Sequence, residues 1–205
     1  MGIGSIELDE LEGVFRNDPV IFDIYKRFGF PKNEKSEDIF NDLIRSIIGQ
    51  QLSVKVAKSI YQRFIALFEK SPGQEDLVEM DVELLRGVGL SYQKASYVRN
   101  VALFFKENKL ENKEWDKMDD LDILDLLTQI KGVGKWTVEM LLMFSFGRQD
   151  VFPIDDLGIR QGMKRFYKVE SEGKDLRKDL TKIAENWRPY RTIASKLIWL
   201  GKDNL

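Results

Sequence analysis

The chain has 205 residues and contains neither cysteine nor histidine. Without cysteine there is no disulfide, no iron–sulfur cluster and no thiolate ligand for zinc. Without histidine there is no imidazole ligand and no Ser–His or Cys–His nucleophile pair. Acid–base or electrostatic chemistry therefore falls to Asp, Glu, Lys, Tyr or Arg. Any metal site built from side chains would be carboxylate-only, and no motif for one stands out. A run of about 20 apolar residues is also missing, so no transmembrane helix and no membrane partner are expected. The opening MGIGSIELDE is too acidic and polar for a signal peptide. An intracellular protein is the expectation. Net charge is scarce too, at −2 with a pI of about 5.5. That argues against a broadly basic surface for polyanions, although a local patch or helix N-termini would serve instead.

With 43% hydrophobic residues the chain can bury a sizeable core, and its length suits one domain or two small lobes. Apolar residues recur at helical spacing throughout: Phe40, Leu43, Ile44, Ile47 and Ile48, then Val56, Ile60, Phe64 and Leu67. Further helices are expected around Leu84–Leu85, Ala95–Phe105, Leu121–Leu127, Trp136–Phe146, Leu157–Tyr167, Leu176–Trp187 and Thr192–Leu200. No convincing period-2 strand appears, so the fold class is all-α. Loops are expected at Phe30–Pro31, Ser71–Gly73, Gly87–Gly89 and Glu172–Gly173. Leu84–Gly89 faintly echoes Leu126–Gly134. Each reads as helix, tight glycine turn, helix, which is also how many helices simply end.

The stretch Leu126–Arg160, LLTQIKGVGKWTVEMLLMFSFGRQDVFPIDDLGIR, concentrates the chemistry. Gly132 and Gly134 permit positive φ and close backbone approach. A helix starting near Lys135 or Trp136 would leave its first amides unpaired at the positive end of the dipole. That is a site for a phosphate, with Lys135 and Lys131 adding charge; a packing corner between two helices would look similar. After the Pro153 loop, Asp155 and Asp156 stand at the start of another helix. Either is suited to cap it, and a capping role is preferred for Asp155.

The strings LTQIKGVGKWTVEMLL and DVFPIDDLGIRQG resemble the helix–hairpin–helix (HhH-GPD) DNA glycosylase superfamily, most like its 3-methyladenine DNA glycosylase II type. SIIGQQLSVKVA (Ser46–Ala57), GLSYQKASYV (Gly89–Val98) and WRPYRTIASKLIW (Trp187–Trp199) agree, and the resemblance runs from about Asp18 to Gly201. It implies a compact catalytic unit over residues 1–205, with two helical lobes and a DNA-lesion cleft between them. The lobes are drawn as 1–40 plus 165–205, and 41–164 carrying the hairpin at 126–146. Larger members have an extra β-rich domain, for which no room is expected ahead of Asp18.

The same resemblance implies a monofunctional glycosylase that flips alkylated purines out of double-stranded DNA and hydrolyses the N-glycosidic bond. It assigns the catalytic carboxylate to Asp156, and the base pocket to Trp136, Trp199 and Met140. Large aromatics on helices also commonly serve core packing; for Trp187 and Tyr190 that role is preferred. Gln50, Gln51, Leu52, Ser53, Ser91, Gly132, Gly134, Lys135 and Thr137 are implied at the DNA. Gln51 is the first choice to plug the vacated base position and Leu52 the alternative. Ser91 would double as an N-cap. Arg160, Lys164, Arg191 and Lys94 either contact phosphates or are solvated, and Arg191 has a further option of pairing with a carboxylate. No cofactor is required; the family often holds a monovalent cation, here Na+ or K+, on the carbonyls of Thr128, Ile130 and Val133. A monomer is expected, cytoplasmic in a prokaryote or nuclear in a eukaryote.

Two other readings compete. A non-catalytic helix–hairpin–helix DNA-binding module needs neither Asp156 nor an aromatic pocket. A bifunctional glycosylase/lyase would carry a nucleophilic lysine where Trp136 stands. Lys135 is one residue away, about 100° around the helix.

Overall fold

A computed structural model describes residues 5–31 and 35–204. The first four residues of the opening segment, read above as unlike a leader, lie outside the described residues. Among the described residues there are helices and no strand, as the all-α reading expects. The helices are α1 (Ser5–Arg16), α2 (Pro19–Phe28), α3 (Ile39–Gly49), α4 (Val54–Ile65), α5 (Gln74–Val78), α6 (Val82–Gly87), α7 (Tyr92–Glu107), α8 (Asp120–Leu127), α9 (Lys135–Phe144), α10 (Leu157–Phe166), α11 (Gly173–Glu185) and α12 (Arg191–Asn204). The sequence reading missed α1, α2 and α5. For α2 the signals were present, in the Asp18 cap and in Pro19 at the first helical turn. Also among the described residues, no helix is long and apolar enough to cross a membrane.

Side-chain caps start six of these helices among the described residues. Asp18, Asp38, Ser53, Asp81, Ser91 and Asp156 each accept a backbone N–H from the first turn of the helix that follows. Each bond satisfies one of the amides that a helix start leaves orphaned.

The chain divides into two compact units, 1–35 with 142–205, and 36–141. In the unit of residues 36–141, α3 and α7 supply the core. Leu43, Ile44, Ile47 and Ile48 are fully buried, as are Val98, Val101 and Ala102. α7 packs on α3, α5 and α6. In the other unit α12 packs on α2 and α10. Its core joins Phe15, Ile21, Ile24, Ile159, Met163, Trp187, Leu197 and Ile198. Residues 142–164 therefore belong with the chain ends, whereas the sequence reading drew them with the middle helices. The reason is the apolar face of α10: Ile159 and Met163, four residues apart, are buried against α12 partners.

The glycine echo has a backbone counterpart. Gly89, between α6 and α7, and Gly132, between α8 and α9, share φ +106°.

Candidate active site

In the unit of residues 36–141, α8 ends at Leu127 and the chain turns through Thr128–Gly134 into α9. Gly132 is obligatory there: its φ is +106°, and an added Cβ would lie 2.2 Å from the ring of Tyr97. Gly134 differs. It has no positive φ, and an added Cβ would meet nothing of the chain within 4 Å, so the expected conformational need holds for Gly132 alone. Gly134 O accepts the Val138 N–H at 3.2 Å, which starts the α9 ladder. The amides following Gly134 form the positive end of a helix, suited to an anion.

Lys135 is exposed and ion-paired with Glu139 at 3.5 Å. Thr137 is 3% exposed and borders the cavity described below. Trp136 is 41% exposed, against the usual burial of a helical tryptophan, and Met140 is half-buried. Ile130 O accepts the Val133 N–H at 2.9 Å, while no backbone N–H donates to the carbonyls of Thr128 or Val133 among the described residues. Oxygens of that kind are what a hard monovalent cation takes as ligands, so this turn fits the expected ion. No cluster of carboxylates that would hold a metal occurs among the described residues.

Between α3 and α4 the chain turns through Gly49–Ser53. Gln50 faces inward and donates through Nε2 to Gly132 O at 3.1 Å. Gln51 is exposed and left-handed, with φ +58°. Leu52 is 37% exposed. Ser53 caps α4 through the Val56 N–H at 3.4 Å, and Ser91 caps α7 through the Lys94 N–H at 3.1 Å. Lys94, read above as a phosphate contact or a solvated charge, is turned partly into the protein. Its ammonium donates to the carbonyls of Ile48 and Gln50 at 2.8 and 2.7 Å, and burial lowers its pKa. Gly49, Gln51, Leu52, Tyr61 and Trp136 line a cavity of about 710 Å³ beside this turn, with Arg45 and Lys58 as its charged members.

In the unit of residues 1–35 and 142–205, a turn closed by Asp156 N–H on Pro153 O at 3.0 Å delivers Asp156 to the start of α10. Asp156, not Asp155, is the cap: its Oδ1 accepts the Ile159 N–H at 2.8 Å. Asp155 instead pairs with Arg177 on α11. Asp156 Oδ1 also accepts the Trp199 indole N–H at 2.9 Å. Trp199, half-buried on α12, stacks on Phe144 with centroids 5.9 Å apart and planes at 25°. Lys196, one turn before Trp199, sits over the other partner of that stack, 4.6 Å from the Phe144 centroid. It is 7% exposed, and burial pushes its ammonium down to about 8.

Four contributors escaped the sequence reading. Phe144, Lys196 and Thr192 looked like ordinary helix residues. Thr192 staples α12 to the loop before Asp156, donating to Arg148 O at 2.7 Å and accepting from Val151 N at 3.0 Å. Gly158 had a signal in Asp156–Leu157–Gly158: a Cβ there would lie 2.9 Å from Trp199 Nε1 and 3.0 Å from Asp156 Oδ1. Of the cations expected to meet phosphates or solvent, Arg191 takes the carboxylate option, bonding Asp150 at 2.6 Å and Glu185 at 3.2 Å. Lys164 pairs with Glu172.

The chain that carries these features is similar to known proteins. Residues 44–189 match the family described as HhH-GPD superfamily base excision DNA repair protein. The chain belongs to that family. It is 35% identical over 169 residues to DNA-3-methyladenine glycosylase 1 of Schizosaccharomyces pombe, covering 81% of this chain and 73% of the yeast protein. Its fold is similar to that of a Schizosaccharomyces pombe 3-methyladenine DNA glycosylase in complex with abasic DNA, with TM-score 0.82 and 30% identity over 95% of this chain and 97% of that one. A DNA-3-methyladenine glycosidase of Bacillus halodurans is also similar, with TM-score 0.80, 33% identity, and 95% and 89% coverage. A trapped endonuclease III–DNA intermediate, at TM-score 0.63 and 18% identity, shares the fold.

Proposed function

We propose that this protein is a monofunctional DNA glycosylase that flips alkylated purines of the 3-methyladenine type out of duplex DNA and hydrolyses their N-glycosidic bond in base excision repair. The observation that carries this reading is the Asp156 carboxylate, fixed on Oδ1 by the helix it caps and by the Trp199 indole, in a chain whose similar proteins are named 3-methyladenine glycosylases. Tryptophan at 136, where a lyase would carry its lysine, supports hydrolysis without a strand cut.

An alkylated purine carries positive charge and leaves readily, so the sugar becomes oxocarbenium-like as the bond breaks. An ionised Asp156 near C1′ stabilises that cation. At about 4 Å and an effective dielectric near 20 the attraction is worth about 4 kcal/mol, roughly a thousandfold in rate. A water completes the hydrolysis at C1′. The flipped cationic base stacks on Trp136 and Trp199 with Met140 beside them. Gln51 plugs the duplex, with Leu52 next to it. Ser53, Ser91 and the backbone from Gly132 to Thr137 hold phosphates, and the open space at Gly134 allows a phosphate to approach closely. The carbonyls of Thr128, Ile130 and Val133 hold a structural Na+ or K+, which would steady the hairpin backbone. The protein acts as a monomer and as one catalytic unit, in the compartment that holds the DNA: the cytoplasm of a prokaryote or the nucleus of a eukaryote.

The test is base release from methylated duplex DNA by the wild type and by Asp156→Asn. Release that collapses in the variant while DNA binding persists is the expected result. Binding without any release by the wild type would leave only a DNA-binding module.

A further inference from the structure

Lys94 spends its half-buried ammonium on two backbone carbonyls. Ile48 and Gln50 lie at and just past the end of α3, where helix carbonyls have no intrahelical donor and the dipole is negative. Capping them fixes the exit of the chain into the Gly49–Ser53 turn. There Gln51 holds φ +58°, a conformation that non-glycine residues keep only where their surroundings enforce it. Gln50, whose carbonyl Lys94 grips, uses its own side chain to reach Gly132 O at 3.1 Å. The turn is thus tied to the hairpin.

Successive turns of α7 complete the arrangement. Ser91 caps it. Lys94 holds the turn after α3. Tyr97 fills the space beneath Gly132. Asn100 donates through Nδ2 to Lys131 O at 3.1 Å. The adjoining face of α7, with Ala95, Val98, Val101 and Ala102, is fully buried, so the helix is a rigid support for both segments.

We propose that Lys94 is a positioning residue for base flipping: together with Gln50 it sets the register between the plug at Gln51 and the phosphate-binding hairpin. This rests on the glycosylase reading above. It separates two tasks. Gripping phosphates needs the hairpin and the helix starts at Ser53 and Ser91, while opening a paired duplex needs the plug to enter at a set distance from the gripped phosphate. A lesion already unstacked costs less to extrude and depends less on that register.

The experiment uses oligonucleotides carrying 7-methylguanine either paired with cytosine or in a single-nucleotide bulge, with single-turnover release by the wild type, Lys94→Met and Lys94→Arg. Lys94→Met is expected to slow release from the paired site by about tenfold or more and from the bulge by less than about twofold. Affinity for undamaged DNA should be unchanged, and Lys94→Arg should recover most of the loss. Should Lys94→Met fail to fold, Gln50→Ala cuts the same tie at a half-buried position and carries the same expectation for paired against bulged release. Equal losses on both substrates, or no loss on the paired one, would overturn the register role while leaving the glycosylase reading intact. A wild type that releases base from neither substrate would overturn both.

Discussion

Asp18 and Asp156 are both aspartates that cap a helix and accept an indole N–H, and they are built for different ends. Asp18 is 6% exposed and uses both oxygens. Oδ1 takes the amides of Val20 and Ile21 at 3.0 and 3.2 Å, and Oδ2 takes the Tyr167 hydroxyl and the Trp187 indole at 2.7 and 2.8 Å. Burial and the Asp18 charge push the Tyr167 hydroxyl far up, so it remains a donor. Asp156 is half-buried, and both its cap bond and its indole bond converge on Oδ1. A carboxylate spread over four donors in a core is a fastener. One that caps a helix on a half-buried face, with its indole bond on the same oxygen, is placed where a ligand can reach it.

The largest effect expected from breaking this contrast is at Asp156. Asparagine retains a carbonyl oxygen for Ile159 and Trp199 and caps nearly as well, so Asp156→Asn removes charge and little else. Base release should fall by roughly a thousandfold, with stability changed by less than about 1 kcal/mol. Chemical denaturation alongside a release assay reads both, and a large stability loss would refute the contrast.

Asp18→Asn is the mirror experiment. An amide cannot accept on both sides, so buried donors lose partners at about 1–3 kcal/mol each, and a loss of about 3 kcal/mol is expected. At temperatures where the variant stays folded, its release rate should match the wild type.

Lys196 tests whether the Asp156 face carries a stability cost that the Asp18 region does not. Burial holds its pKa in the folded protein at about 8, below the ordinary 10.5. Between those values the unfolded chain binds more protons, so stability rises with pH across that window. Below pH 8 the full cost, about 3 kcal/mol, is present. Lys196→Met should therefore be the more stable protein at pH 7, and its stability should lack the wild-type rise between pH 8 and 10.5. Parallel curves for the two proteins would rule this out.

Smaller effects should come from the indoles and their seat. Gly158→Ala gains helix propensity but pushes against Trp199 Nε1 and Asp156 Oδ1, so release should drop by roughly tenfold, about 1.4 kcal/mol, at near-constant stability. Trp199→Phe should slow release by several-fold, whereas Trp187→Phe should lower the melting temperature and spare the rate. A rate loss at Trp187 equal to that at Trp199 would erase the distinction between fastener and catalyst.

Much of this was legible in the chain. Apolar spacing gives α3, α4, α7 and α10, because a helix that buries one face must repeat its apolar residues with the helical period. The Asp-Asp pair after Pro153 and the Gly132 turn were visible because caps and positive φ demand particular residues. Other features had no local signature. Which aspartate caps α10 depends on where Arg177 stands. That Lys94 faces inward depends on α7 packing against α3. That Trp187 fastens while Trp199 steers depends on which carboxylate each indole meets, Asp18 lying 169 positions away in one case and Asp156 43 in the other.

The sequence by itself determined the helical class, the glycine turn and the residue types able to do the chemistry, since these follow from composition, periodicity and short-range sterics. Only the tertiary structure decided which of two adjacent carboxylates is steered, which lysines are buried and what each holds. Those outcomes come from contacts between residues far apart in the chain, where burial and hydrogen bonding, rather than local propensity, set the energy.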